Sequence, residues 1–318
     1  MATAPAFRCT ATRKLTLLRA AGKDAAKFLN NFCTNDVMGL SLGQGCEAFS
    51  CDAKGRILFH WTVAHVDNAY WVATHAEVGE RLWSHLDRYH FREELTLEDL
   101  SQTWSELILF GSPAEPLPIT EACNATQASM YAAATVTLEN QCGWMQRLPI
   151  YGSQVFHLYG PNEWLHHVAT VVMNRDSSVD DSELDRRRIA MGWPLATLDY
   201  DDKTIPQELN RDAVAISFNK GCYLGQETVA RLDALGQVQR KLVGFTFKNK
   251  LPTTPFVAKQ DEKEIATVSS WSSFPAMNQY IGIGFAKRSH FQPGCILGSS
   301  DNPITVTSLP IMNDIEER

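Results

Sequence analysis

Lys220-Gly221-Cys222-Tyr223-Leu224-Gly225-Gln226-Glu227 holds an amine, a thiol, an amide, a carboxylate and two glycines in eight consecutive residues. Glycine reaches backbone angles closed to other residues, so Gly221 and Gly225 predict a sharp turn that lets a ligand approach the peptide amides, with Cys222 at the turn. A helix opening at Gly225-Gln226-Glu227 and running on through Thr228, Val229 and Ala230 would present free N–H groups near the thiol, and the Lys220 amine would add positive charge. Both features favour a thiolate, which makes Cys222 a candidate reactive cysteine and Lys220 its candidate catalytic partner. The alternative is a free cysteine packed as a small hydrophobe. Such a density of polar chemistry is foreign to an ordinary core segment.

The octapeptide resembles the signature Lys-Gly-Cys-(Tyr/Phe)-x-Gly-Gln-Glu of the YgfZ-type folate-binding family, relatives of the glycine cleavage T-protein (GcvT) that include a mitochondrial branch serving iron-sulfur cluster assembly. The likeness continues upstream through Ile205-Pro206-Gln207-Glu208-Leu209-Asn210 and Arg188-Ile189-Ala190-Met191-Gly192-Trp193-Pro194, and downstream through Val229-Ala230-Arg231 and Arg240-Lys241-Leu242. Near the start, Phe28 to Val37 looks like the family's helix followed by a Thr-Asn-Asp-Val turn. The resemblance implies an α+β, GcvT-like fold of two ferredoxin-like halves around a central folate channel, followed by a C-terminal β-barrel. It places the folate-binding domain in residues 1–240, with a connection between halves near 112–127, and the barrel in 241–318.

By the same resemblance the cofactor is tetrahydrofolate or a one-carbon derivative. Asn35 and Asp36 would line the pterin, Arg188 would serve the ligand or brace the channel, and Tyr223, Gly225, Gln226, Glu227 and Arg231 would surround the cofactor beside Cys222. Arg188 could equally form an ion pair with the acidic stretch before it, and Asp36 could be a turn or capping residue. Arg231, Arg240 and Lys241 could make a basic face for a polyglutamate tail, or simply be solvated charge.

Two stretches separate the family branches. The T-protein carries an acidic pair in a Gly-Gly-x-x-Asp-Asp segment, where a carboxylate assists aminomethyl transfer as general acid or base. Here Lys54-Gly55-Arg56-Ile57-Leu58-Phe59 puts leucine and phenylalanine at both acids, and an apolar pair moves no protons. The T-protein's Thr-Gly-Glu-x-Gly-Tyr-Glu segment meets Leu148 to Phe156, which contains no glutamate. These departures, with Cys222 present, imply a folate-binding accessory protein that supports iron-sulfur cluster assembly or repair, including clusters of tRNA-modifying enzymes. Its partners would be folate and assembly or client proteins; the alternative is a folate-dependent aminomethyl or other one-carbon transferase.

Composition narrows the field independently. A chain of 318 residues with 44% hydrophobic content can bury a sizeable core. With 29 basic against 36 acidic residues the net charge is -7, which argues against direct nucleic-acid binding driven by bulk charge. The longest apolar runs, such as Val168 to Met173, fall short of the roughly 20 residues that cross a bilayer, so no membrane segment is expected. Met1 to Thr12 lacks a basic region followed by an apolar one, and a cytoplasmic location is expected. Eight cysteines without a Cys-x-x-Cys, and nine histidines without a ligand-type spacing, predict reduced thiols and no resident metal. Cys46 and Cys51 alone do not make a cluster site, which needs several thiolates.

Periodicity predicts a strand over Lys14–Ala20, a helix over Lys23–Phe32, and a hairpin of Gly55–Ala64 with Ala69–Thr74 turned at Asp67-Asn68. A helix carrying Val78, Leu82, Trp83 and Leu86 on one face follows, then strands near 95–97 and 106–110, in the β-α-β-β-α-β order of a ferredoxin-like unit. Strands at 131–138 and 155–159 and a helix over 162–172 partly repeat that order. From Leu242 short alternating strands predict the barrel.

Overall fold

The computed structural model describes residues 7–111, 129–172, 178–236, 238–298 and 302–312. The expected connection at 112–127 lies outside the described residues. Strands β1 (Phe7–Cys9), β2 (Thr16–Ala21), β3 (Gly45–Cys51), β4 (Ile57–Val66), β5 (Ala69–Thr74) and β6 (Thr96–Asp99) come first, with helices α1 (Ala25–Asn31) and α2 (Gly79–Asp87) between them. Next are β7 (Trp104–Gly111), β8 (Ala133–Leu138), β9 (Gln141–Arg147), β10 (Val155–Pro161) and helices α3 (Asn162–Val172) and α4 (Asp181–Met191).

The first sheet has the order β3-β4-β5-β2-β6 and is antiparallel throughout. Without β3 this is the 4-1-3-2 order of a ferredoxin-like unit; β3 is an added edge. Asp67 and Asn68 take φ of 52° and 56°, the left-handed pair that a two-residue hairpin needs between Val66 and Ala69. The second sheet repeats the pattern as β1-β7-β10-β9-β8. Its fourth strand is supplied by β1 from the beginning of the chain, where Phe7 pairs with Gly111. Glu106 to Phe110 therefore opens the second sheet rather than closing the first, which corrects the expected grouping.

Alternation along the strands decides which side chains meet. On β4, Phe59, Trp61 and Val63 face α1 and α2, packing with Phe28, Leu29 and Leu82. Ala64 and Val66 face the second sheet, together with Leu17, Trp71, Trp144 and Tyr159. There Trp144 stacks on Tyr159 at 4.2 Å and meets Trp71 at 5.6 Å. On β10, Phe156 and Leu158 point to α3, so His157 and Tyr159 point inward. The result is four layers, helices outside and two sheets face to face.

Helices α5 (Asp212–Ala215) and α6 (Gln226–Leu235) precede a six-stranded antiparallel sheet that curls into a nearly closed barrel. Its strands are β11 (Arg240–Phe247), β12 (Phe256–Gln260), β13 (Lys263–Phe274), β14 (Gln279–Lys287), β15 (Ile296–Leu297) and β16 (Ile304–Thr307), ordered β12-β13-β14-β11-β16-β15. α4 is held against it by Ile189 and Ala190 packing on Phe274, Ile281 and Ile283. A register shift between Val268 and Ser270 brings both Ser269 and Ser270 hydroxyls onto Asp199, at 2.6 Å each. Among the described residues no helix is long and apolar enough to cross a membrane.

Candidate functional site

Where the two sheets part beyond the Trp71–Trp144 pair, a cavity opens whose enclosed volume is about 120 Å³, smaller than a typical small-molecule site, and it widens into space continuous with solvent. β4 contributes His60 and Thr62, β7 contributes Glu106, β10 contributes His157 and Tyr159, and the 193–200 segment closes it with Trp193 and Tyr200. Its walls are aromatic with a few convergent polar groups.

Two of those groups are imidazoles backed by carboxylates. His60 Nε2 lies 2.8 Å from Glu47 Oε1, and its ring sits between Phe49 (4.8 Å) and Trp193 (4.6 Å). Glu47, on β3, is fully buried and also takes the Arg211 guanidinium on both oxygens and the Tyr131 hydroxyl at 2.5 Å. Burial pushes the Glu47 carboxyl up, but the charge and hydrogen bonds of Arg211, with His60, outweigh it and hold the pKa far below the usual range. Burial, with Arg211 nearby, pushes the His60 pKa down despite Glu47. Arg211 in turn lies 4.4 Å over the Trp193 ring.

On the second sheet His157 Nδ1 lies 2.6 Å from Glu106 Oε1, and Tyr159 also bonds that carboxylate. Tyr151 stacks on the His157 ring at 5.6 Å with planes 16° apart. His157 is 1% exposed, and its Nε2 is buried without a hydrogen-bond partner among the described residues. A buried orphan of this kind is rare in a folded protein and marks a place where a ligand group or water is wanted.

The signature lies elsewhere, across the ends of α1, β3 and β4. Lys220 Nζ donates to the carbonyls of Asn30 (2.6 Å), Cys33 (2.7 Å) and Asn35 (2.6 Å), and lies 5.2 Å from the Tyr223 ring. Burial lowers its pKa against the pull of neighbouring Cys33 and Asp36. All three ammonium hydrogens are thus engaged on backbone carbonyls at the end of α1, so the amine is a clamp for the loop. Asn35 adds to the same seam: its amide donates to Glu47 O and Val214 O at 2.8 Å each. Asp36 closes a turn by accepting from Gly39 N–H at 3.0 Å.

Gly225 takes φ +86° and caps the start of α6, as the sequence suggests. A Cβ there would collide with the Asp52 carbonyl oxygen, so the glycine is what lets the loop press on the β3–β4 turn. Gly221 has no positive φ, and a Cβ there would meet nothing within 4 Å. The expectation of a special backbone at Gly221 is therefore corrected. Tyr223 is buried, whereas Cys222, Glu227 and Arg231 are exposed and Gln226 is half-buried. Cys222 is not among the residues lining the cavity.

Arg188 is 2% exposed and lies away from this loop. It donates to Asp199 Oδ2 (2.7 Å), Trp193 O (2.9 Å) and Asp185 (2.9 Å), bracing α4 against the cavity-closing segment and, through Asp199, against the β13 hydroxyls. Arg240 pairs with Glu208 and covers the Phe285 ring at 4.2 Å. Among the described residues no cluster of His, Cys, Asp and Glu could hold a metal ion, and the seven described cysteines are free.

Thus the structure brings Lys220, Asn35, Asp36, Tyr223 and Gly225 together, and leaves Arg188 apart. It adds Glu47, His60, Arg211, Glu106 and His157, which sequence reasoning missed. The signal available was an inward-facing imidazole in each of two mostly apolar strands, His60 in Ile57–Val66 and His157 in Val155–Tyr159.

Comparison with known proteins matches residues 11–220 to the GCVT N-terminal domain family. The chain is 24% identical over 285 residues to an aminomethyltransferase of Caldanaerobacter subterraneus, covering 86% of this chain and 75% of that one. It is 25% identical over 227 residues to the tRNA-modifying protein YgfZ of Colwellia psychrerythraea, covering 70% and 66%. A mitochondrial iron-sulfur cluster assembly factor IBA57 homolog of Yarrowia lipolytica is 24% identical over 263 residues, covering 75% of this chain and 55% of the relative. Among solved structures, the glycine cleavage system aminomethyltransferase of Bartonella henselae superimposes with a TM-score of 0.82 at 16% identity, covering 98% of this chain and 88% of that one. That likeness is one of fold.

Proposed function

The chain belongs to the GCVT N-terminal domain family, and from that premise we propose that it binds reduced folate between its two sheets and supports iron-sulfur cluster assembly or repair, including clusters of tRNA-modifying enzymes. The observation that carries this choice over aminomethyl transfer is the position of Leu58 and Phe59. Phe59 packs in the core beneath α1 and α2 at 3% exposure with the Arg81 guanidinium over its ring, and the partly buried Leu58 packs against the same cluster. Neither side chain can give or take a proton there.

The cavity's lining suits a pterin ring: its walls are aromatic, and His157 Nε2 is an orphan that a ring N–H would satisfy. Tetrahydrofolate would supply a one-carbon carrier. Trp193, Tyr200 and Tyr151 would flank its ring, and Arg13 and Lys14, which also line the cavity, would meet its anionic tail. Cys222, exposed at the surface, would meet the client protein as a transient ligand or sulfur acceptor, and Lys220 would hold the loop that presents it. We also propose a domain boundary at 240/241, one residue into β11, the first strand of the barrel sheet.

The test has three arms. Anaerobic calorimetry with tetrahydrofolate should detect binding. The protein mixed with the other glycine cleavage components should release no folate-dependent ammonia. The Cys222→Ser variant should fold normally yet fail to restore cluster-enzyme activity in a strain lacking its own homologue. Robust ammonia release, or full rescue by the serine variant, overturns the proposal.

A further inference from the structure

The two stretches that have lost their acids, Lys54–Phe59 and Leu148–Phe156, are each followed at once by an inward-facing imidazole, His60 and His157. Each ring is tied through one nitrogen to a carboxylate on the neighbouring strand, and the two rings line the same cavity from opposite sheets. With Glu47 and Glu106 accepting, the tied nitrogens are the protonated ones, Nε2 of His60 and Nδ1 of His157. The other nitrogen of each ring is then a lone-pair acceptor. For His157 this is the buried Nε2, which has no partner among the described residues; for His60 it is Nδ1. Stacking by Trp193 and Tyr151 fixes both ring planes, so neither nitrogen can turn to find a partner.

We propose that His60 and His157 are the specificity-determining contacts of the cavity, a pair of acceptors that selects a tetrahydropterin over an oxidised pterin. This rests on the folate reading above. In a tetrahydropterin N5 and N8 carry hydrogens and can donate to imidazole lone pairs. In the fully oxidised ring the same two nitrogens are themselves acceptors, so lone pair would face lone pair, leaving buried groups unpaired on both sides. A site whose polar groups are made to bond a ligand N–H rejects the analogue that lacks it far more strongly than an apolar pocket could.

The experiment uses the full chain under anaerobic conditions, with tetrahydrofolate and folic acid as probes. Calorimetry on the unmodified protein should favour tetrahydrofolate by at least about tenfold. His157→Phe should lose most of that preference by weakening tetrahydrofolate binding while leaving folic acid little changed, and His157→Gln, whose amide oxygen can stand near Nε2, should recover part of it. His60→Phe should act in the same direction, with circular dichroism confirming the fold. Independently of any variant, long-range nitrogen NMR of histidine-labelled protein should find His60 protonated on Nε2 alone and His157 on Nδ1 alone, with the bare nitrogens shifting when tetrahydrofolate is added. A doubly protonated ring, the opposite tautomer, or an undiminished preference in His157→Phe overturns this assignment while leaving folate binding intact. Absence of binding by both probes overturns the folate reading itself, and this assignment with it.

Discussion

The signature loop and the inter-sheet cavity are built in opposite ways. The loop is one contiguous string whose chemistry is written in order, yet most of its polar groups are engaged in holding it down: Lys220 on three carbonyls, Gly225 against Asp52. The cavity is assembled from residues between Arg13 and Tyr200 that share no motif, and it keeps an unengaged polar atom, His157 Nε2. A motif that is easy to see can thus be mainly a fastening that leaves one residue, Cys222, exposed. Unsatisfied chemistry sits where the strands cross.

The comparison breaks most sharply at Glu47, the residue that ties the two regions. Its carboxylate holds Arg211, His60 and Tyr131, while its backbone carbonyl holds Asn35 of the loop seam. Glu47→Gln leaves a buried guanidinium without its counter-charge, and should cost about 3–5 kcal/mol in denaturant unfolding. The pH dependence follows from the same groups. Glu47 has a depressed pKa when folded, so its contribution is complete above the unfolded value of about 4.3 and is lost as pH falls toward the folded one. His60 is also depressed, so below its ordinary value of about 6.5 the unfolded chain takes up a proton that the folded one refuses, and stability falls with pH there too. Unfolding midpoints measured from pH 8 to 4 should therefore decline from near pH 6.5 downward, and His60→Asn should remove the upper part of that decline. A flat profile over the whole range would separate these residues from the stability of the fold.

Within the loop the two glycines make a finer comparison. Gly225→Ala should cost about 3 kcal/mol, because left-handed backbone penalises a Cβ by roughly 1–2 kcal/mol and the Asp52 carbonyl must also give way. Gly221→Ala, on ordinary backbone with open space around it, should stay within about 0.5 kcal/mol of the parent. Equal losses from the two substitutions, measured by urea unfolding, would show that the motif needs both turns.

These cases also show which parts of the molecule could be read in advance. The helix start at Gly225, the Asp67-Asn68 hairpin and the alternating strands of the barrel were legible because each is a local pattern of turn residues or period 2. β3 was not, because Cys46 to Cys51 is buried on both faces and so loses the alternation that marks a half-buried strand. Glu47 was hidden with it. β1 was hidden by its length of three residues and by a partner near residue 110, a pairing that no local window contains. Arg188 was legible as an arginine of interest but not in its role, since its partner Asp199 and the hydroxyls beyond it come together only through the β13 bulge.

The smallest loss among the residues held by side-chain or steric contacts separates clamp from catalyst at Lys220. Three charge-assisted bonds to carbonyls at the end of α1 are partly offset by the cost of desolvating the ammonium, whose depressed pKa reports that cost. Lys220→Met removes the donors and leaves the carbonyls of Asn30, Cys33 and Asn35 to water, for a loss of about 2 kcal/mol. The loss should be local: amide exchange should speed up over residues 217–224 and 33–36, and much less over β10, which meets neither the amine nor the loop it holds. Lys220→Arg keeps the charge but brings a wide, planar fork to a site shaped around a compact ammonium, and should restore only part of the protection. If Lys220→Met leaves exchange in 217–224 unchanged while abolishing rescue of cluster enzymes, the amine acts on chemistry at Cys222 directly and its three carbonyl contacts are incidental.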